Sequence, residues 1–287
     1  MQTQGYRVTL EHQAAHWWYR SRRELWLRQV DRAARGLARA GSVAGSIERP
    51  LALLDYGCAS GFDLPALARF GAAHGADIVD PGQMAAQAAP GGDVARDVAS
   101  PIGAPPIDAF PMGAFPMGTF PIHRVPDDLP ALRGRFDIVT CLDVLEHLDD
   151  DVAGLRTIAG LMAPGGQLVV TVPAYDWLWS GEDEISAHRR RYTRTSLLGA
   201  ARAAGFEVLF ASYFFASVLP GMVAVVWGRR LVSDRWRAQT NLDAHPRWLG
   251  GVLRAVTGAE ARLVGDEHLS LPAGASLVCR LRLPERS

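Results

Sequence analysis

The chain has 287 residues, 48% of them hydrophobic and 21% charged, enough to bury about three quarters of the unfolded surface in one large domain or a domain plus a subdomain. Thirty basic residues balance thirty acidic ones, so no global field favours nucleic acid or an anionic membrane. Every basic residue is arginine, which excludes a P-loop lysine, a Schiff-base lysine and a serine–lysine dyad.

Cys58, Cys141 and Cys279 form no C-x-x-C pair, so a disulfide framework and a cysteine zinc site are not expected. The first residues, Met1 to Arg7, show no apolar run. A cytoplasmic location is the expectation.

Trp26, Val30, Ala33 and Leu37 recur at helical spacing, predicting a helix from Trp17 to Ala40. After a break from Gly41 to Pro50, an apolar strand, Leu51 to Asp55, runs into Gly57-Cys58-Ala59-Ser60-Gly61. A short helix is expected from Asp63 to Phe70 and a second strand ending Ile78-Val79-Asp80. Gln83 to Ala89 reads as helix, with a third strand around Val94.

Residues 101–130 interrupt this rhythm with a tandem pentapeptide, Ala109-Phe110-Pro111-Met112-Gly113 followed by Ala114-Phe115-Pro116-Met117-Gly118. Its prolines oppose helix and interior strand, so a loop insertion is expected. Alternation then resumes. Phe136 to Cys141 and Gln167 to Val172 read as strands around a helix that starts near Asp149 to Asp151 and stops at Pro164. Thr195 is the expected cap of a helix that Gly205 ends, before a strand from Phe206 to Tyr213. Phe214 to Gly228 is almost wholly apolar but too short to span a bilayer. A buried or interface role is favoured there over membrane-surface contact, and a homodimer face is among the uses open to it. A last strand is expected from Ser276 to Leu283.

Such β–α alternation predicts an α/β fold: a mostly parallel sheet covered by helices on both faces. Ligands of such sheets bind beyond the carboxyl ends of the strands. Gly57 and Gly61 allow backbone to approach a ligand closely. Asp80, nineteen positions after Gly61, is placed to accept from a ribose diol. A dinucleotide fingerprint would need G-x-G-x-x-G. Here the glycines are four apart behind Asp55, which would repel a pyrophosphate and suit an ammonium. S-adenosylmethionine (SAM) carries an ammonium, a sulfonium and a ribose but no phosphate, so it is preferred to NAD.

The segments Asp55–Gly61, Val79-Asp80, Phe136–Leu148, Ala163–Pro173 and Ala204–Phe206 resemble the class I SAM-dependent methyltransferase superfamily, in particular the bacterial branch of ubiquinone-type O-methyltransferases. Ala59 stands where that family usually has glycine, a mild departure. The resemblance implies a Rossmann-like seven-stranded sheet, with residues 1–40 as an N-terminal lid helix, 41–213 as the SAM-binding domain, 214–274 as a helical insertion and 275–287 as the last strand.

It also implies that the turn with Asp55, Gly57, Cys58 and Gly61 cradles the methionyl part, and that Asp80 holds the ribose. Asp97, or Asp93 in another register, would take the adenine amino group, and backbone around Leu142 would meet the SAM ammonium. Arg22 or Arg23, with Arg23 preferred, would pair with the SAM carboxylate. His147 is the catalytic candidate, as a general base or as a brace for its loop. Trp18, Tyr175, Arg190 and Tyr192 are the substrate-side candidates; an anionic group near Arg189–Arg191 competes with a self-neutralising loop. Glu146 and His147 are two adjacent ligands without a visible third, so no metal is expected. The expected activity is methyl transfer to a small-molecule acceptor, with a non-catalytic SAM-binding scaffold and an NAD-dependent oxidoreductase as the alternatives.

Overall fold

The computed structural model describes residues 16–44, 49–78, 120–232 and 247–285. Its centre is a seven-stranded sheet in the order β3-β2-β1-β4-β5-β7-β6. The strands are β1 (Ala52–Tyr56), β2 (Ala72–Asp77), β3 (Ile122–Arg124), β4 (Phe136–Leu142), β5 (Met162–Pro173), β6 (Glu207–Phe214) and β7 (Ser276–Arg282). The first five are parallel, while β7 pairs antiparallel with both β5 and β6. Strand order reverses between β1 and β4, which opens a crevice at their carboxyl ends.

Helix α1 (Trp17–Ala44) lies along one face of the sheet. Its Trp26, Leu27, Val30 and Ala33 are buried against Leu53, Ile138 and Val169 of the central strands. The one-turn α2 (Leu64–Leu67) extends this layer. On the other face, α3 (Asp151–Leu161) and α5 (Arg194–Ala203) bury Leu155, Ile158, Leu197 and Ala201. Helix α4 (Gly181–Ile185) follows β5 at the carboxyl edge, and α6 (Leu219–Val232) and α7 (Arg247–Gly265) lie between β6 and β7.

One stripe of α1 is therefore core, and the helix is clamped from outside by α7. Ser21 Oγ meets Thr257 Oγ1 at 2.7 Å, the Arg28 guanidinium holds both Asp266 oxygens at 2.8 and 2.9 Å, and Gln29 donates to the Gly265 carbonyl. The first and last thirds of the chain thus close one layer together.

Several sequence boundaries shift. Strand β2 ends at Asp77, three residues before the expected stop, and Val79, Asp80, Asp93 and Asp97 lie outside the described residues. The described third strand is Ile122–Arg124, within the stretch read as a loop insertion, whereas Val94 and the tandem pentapeptide lie outside the described residues. Thr193, not Thr195, caps α5: its hydroxyl accepts from Ser196 N, and the Ser196 hydroxyl returns a bond with Thr193 N–H.

Trp26 is the largest side chain buried between α1 and the sheet. Trp26→Ala is expected to lower the unfolding free energy by about 3–5 kcal/mol, measured by urea denaturation.

Candidate functional site

The site is built at the carboxyl ends of β1, β2 and β4. The β1 turn is pinned to β2: Gly57 N–H and Cys58 N–H both donate to the Ala76 carbonyl, at 2.7 and 3.2 Å. Gly57 has φ +82, and a β-carbon there would lie 2.4 Å from Val144 Cγ2. Gly61 has φ +74. Ala59, between them, is also left-handed at φ +47. The departure from glycine is therefore a strained one, costing about 1–2 kcal/mol in this region. Ala59 N–H donates to Asp77 Oδ2 at 2.8 Å, so the turn and the end of β2 hold each other.

Asp77 occupies the place at the end of β2 that sequence reasoning gave to Asp80. The signal that could have found it is the strand Ala72-Ala73-His74-Gly75-Ala76-Asp77 itself, whose alternation is too weak to compete with Ile78-Val79. Cys58 belongs to the turn through its backbone; its sulfur is buried over Gly75, where a β-carbon would meet it at 2.6 Å.

Asp55 is 5% exposed and accepts from Thr140 Oγ1 at 2.7 Å. Burial, then the charges of Asp63 and Asp77, push its pKa up to about 7 against the Thr140 bond. Three acids around a left-handed turn make a cradle that favours a positive group and rejects a phosphate. That donor set fits the ammonium and the ribose hydroxyls of SAM.

Two arginines of α1 reach this region. Arg23 Nε lies 3.0 Å from Asp63 Oδ1 and its guanidinium covers the Phe62 ring at 4.8 Å, so it braces the loop after the glycine turn. Arg22 is paired with Asp143, the residue after Leu142 at the end of β4. Asp143 is left-handed at φ +54; its N–H donates to the Thr171 carbonyl and its Oδ1 accepts from the Thr171 hydroxyl.

Beyond Asp143, a 3-10 turn from Leu145 to His147 carries the catalytic candidate. Burial, then neighbouring His188, lowers the His147 pKa to about 4, which leaves a neutral imidazole at pH 7. Glu146 is fully buried, and neither of its carboxylate oxygens has a hydrogen-bond partner. Burial pushes its pKa up to about 8. His188 sits beside both: its ring lies edge-on to His147, 4.8 Å between centroids, and its Nε2 is 4.0 Å from Glu146 Oε1. Ligand atoms of Glu146, His147 and His188 all lie within 4.8 Å of one another, so His188 is the third group that the sequence did not reveal.

The charged loop after β5 folds onto this turn. Arg191 holds Asp183 through two bonds of 2.7 and 2.8 Å, Arg190 donates to the Leu148 and Asp149 carbonyls, and Arg189 pairs with Asp149. This favours the self-neutralising reading, with Arg190 bonded to the carbonyls of the turn. Tyr192 is buried, with its hydroxyl donating to Asp151 Oδ2 at 2.9 Å, and is likewise part of the brace.

Trp18 stacks on Phe215 at 3.8 Å, and Tyr175 lies between Trp177 and Tyr213. Together they form an aromatic wall around the start of α1, whose Arg22 is one helical turn from Trp18. A cavity of about 260 Å³ opens between the β5 loop and α6, lined by Trp179, Ser180, Gly181, Glu184, Val226, Arg229 and Arg230. Among the described residues, no helix is long and apolar enough to cross a membrane.

Residues 19–210 match the family described as Methyltransferase domain. Among curated proteins, the ubiquinone biosynthesis O-methyltransferase of Pseudomonas aeruginosa is 38% identical over 88 residues, which covers 26% of this chain and 38% of that protein. The protein of the same description from Xanthomonas euvesicatoria is 46% identical over 46 residues, 16% of this chain and 19% of that one. The chain thus matches well under half the length of these curated relatives. Among solved structures, a putative methyltransferase from Bacillus halodurans aligns with a TM-score of 0.47 at 15% identity, covering 88% of this chain and 98% of that one. The 1,6-didemethyltoxoflavin-N1-methyltransferase of Burkholderia thailandensis, with 1,6-didemethyltoxoflavin and S-adenosylhomocysteine bound, aligns at 0.40 and 17%, covering 88% and 79%.

Unfolded, the Asp55 carboxyl titrates near its ordinary 3.8; folded, near 7. Between those values the folded chain keeps a proton that the unfolded chain has released, so stability falls as pH rises through that window. Without SAM, Tm should decline from about pH 4 to about pH 7, and in Asp55→Asn the decline should be shallower, by scanning calorimetry. Ala59→Gly should raise stability by up to about 1 kcal/mol by relieving the left-handed alanine, measured by denaturant titration.

Proposed function

The chain belongs to the methyltransferase domain family, and from that premise we propose that it methylates a hydroxyl of a small, partly apolar molecule. It is a class I SAM-dependent methyltransferase, and SAM is its cofactor. The observation that carries the reading is the acidic cradle: Asp55 and Asp77 on a glycine turn at the switch point of the sheet. Asp77 would hold the ribose diol, Asp55 would face the ammonium, and Gly57 and Gly61 would let the backbone close on the methionyl chain.

When bound, SAM supplies a methyl group on a sulfonium: the acceptor oxygen forms a bond to carbon as the carbon–sulfur bond breaks, and sulfur keeps the electron pair. The protein's share is alignment and exclusion of water. The Arg22–Asp143 pair joins α1 to the end of β4 and so keeps the residues after Leu142 in place. Trp18 and Tyr175, half-buried and packed with the buried Phe215, would supply an apolar wall suited to an aromatic or lipid-like acceptor. His147, neutral at pH 7, would have a lone pair to take the hydroxyl proton that must leave. The choice of oxygen is supported by the curated relatives, whose description is O-methyltransferase.

Titration calorimetry of the purified chain with SAM, S-adenosylhomocysteine and NAD tests this. Saturable binding of the first two and none of the third is expected. Asp77→Ala should weaken SAM by about 10- to 100-fold, the loss of charged hydrogen bonds to a diol. A chain that binds neither SAM nor S-adenosylhomocysteine would refute the reading.

A further inference from the structure

We propose that His74 and His123 share a proton across β2 and β3 and thereby position Asp77 for the cofactor, so that fully protonating the pair loosens the ribose site. The positioning role rests on the proposed reading of Asp77; the proton clasp itself does not.

The clasp is a close contact outside the site. His74 Nδ1 and His123 Nε2 lie 3.1 Å apart, and the rings are nearly parallel, 11° between planes and 5.3 Å between centroids. Two ring nitrogens at that distance need one hydrogen between them, donated by one ring and accepted by the other. One extra proton keeps this bond, since an imidazolium can donate to a neutral ring. A second puts an N–H on both facing nitrogens and a charge on each ring, and the contact turns repulsive.

The surroundings oppose that second charge. Both rings are half-buried, and burial is the first cause holding both below the ordinary histidine value of 6.5. Arg135, just before β4, adds its positive charge against both. Asp128, after β3, pulls the other way at His123, but its Oδ2 already accepts from Arg124 N–H. Arg124 and Asp127 pair with each other. Phe136 of β4 meets the His74 ring edge-on at 5.4 Å and brings no charge. Protons opposed in the closed pair favour opening only below 6.5, so the loosening grows as pH falls.

What the clasp holds is the outer strand of the sheet. Strand β3 has three residues and lies at the edge. Gly75 N–H donates to the Pro121 carbonyl and Val125 N–H to the Asp77 carbonyl, both at 2.9 Å. In register, Ala76 faces His123 and Asp77 faces Arg124. On the α1 side of the sheet, Ile122 anchors the strand, its Cδ1 3.4 Å from where a β-carbon on Gly61 would sit. His123, next along the strand, points to the other side, where His74 meets it. Strand β3 therefore backs both Asp77 and Gly61. With so few bonds to hold it, repulsion between the rings is felt at Asp77, which in turn holds Ala59 N–H.

The test compares the full chain with the double variant His74→Asn, His123→Gln, whose amides can share a hydrogen in place of the ring nitrogens but do not titrate. Amide hydrogen exchange of Gly75 and Val125, followed by NMR without SAM from about pH 7.5 to about 5.5, reads the clasp across the histidine range. Corrected for the intrinsic rate, exchange at Val125 should accelerate at least about 10-fold more in the wild type than in the variant, the worth of about one hydrogen bond. Calorimetric titration with SAM over the same range reads the positioning. Both chains should bind alike near pH 7.5, and the wild type should lose about 10-fold more affinity on acidification. Asp55 also titrates in this window, but in both chains, so the difference isolates the pair. His123→Gln alone repeats the comparison if the double variant fails to fold. Equal pH dependence of exchange in the two chains overturns the clasp. A difference in exchange with none in SAM affinity overturns the positioning role. Chains that bind no SAM at any pH refute the cofactor reading instead, because exchange needs no ligand.

Discussion

A carboxylate taken out of water has to be neutralised, and the loops at the carboxyl edge of this sheet hold three that are 5% exposed or less: Asp55, Glu146 and Asp183. The protein answers each differently. At Asp183, burial alone would raise the pKa, but His188 and the Arg191 fork outweigh it and hold the value at about 2. Asp55 has only a threonine hydroxyl and two further acids nearby, and stands near 7. Glu146 has no side-chain hydrogen bond, and burial outweighs the attraction of Arg22 and Arg191 to leave it near 8. The fold therefore satisfies one charge internally and leaves two whose raised pKa values let a proton neutralise them near neutral pH. That gradient, more than any single distance, distinguishes the part of the loop system that braces from the part that binds.

The bracing part explains why arginine is so prominent there. Arg189, Arg190 and Arg191 are consecutive, yet each is committed to a different target: Asp149, the carbonyls of Leu148 and Asp149, and Asp183. Guanidinium forks suit this work, because their fixed donor geometry matches carboxylates and paired carbonyls. The result ties the 3-10 turn after β4 to the loop after β5 across forty residues of sequence. A turn carrying His147 would otherwise depend on its own short hydrogen bonds, His147 N–H to the Val144 carbonyl among them.

The parts of this design that can be read in the sequence are those set by strong local rules. Strands β1, β4 and β5 are apolar runs bounded by glycine or acid, and Gly57 and Gly61 announce a left-handed turn. Strand β2 obeys no such rule. Ala72-Ala73-His74-Gly75-Ala76-Asp77 has weak intrinsic preference for extended structure and becomes a strand because β1 and β3 pair with it on both sides. Ile78-Val79 drew the expected strand end past Asp77. Strand β3 was hidden for the same reason, three residues long and embedded in a proline-rich stretch. His188 was invisible for another: it lies forty-one residues after His147 inside a charge run, and only the arginine brace brings the two rings to 4.8 Å.

Ala59 shows where stability was yielded to the site. Its left-handed φ is kept by the bond from its N–H to Asp77 and by the paired bonds of Gly57 and Cys58 to Ala76. A strained residue persists only when its surroundings over-determine it, and here the surroundings are the two elements that a bound nucleoside would contact. The same turn presses on Val144, since Gly57 leaves no room for a β-carbon beside that side chain. Val144 is two residues from Glu146 and three from His147. The glycine turn of β1 and the 3-10 turn of β4 are therefore packed as one unit, so a ligand that reorders the first must act on the position of the second.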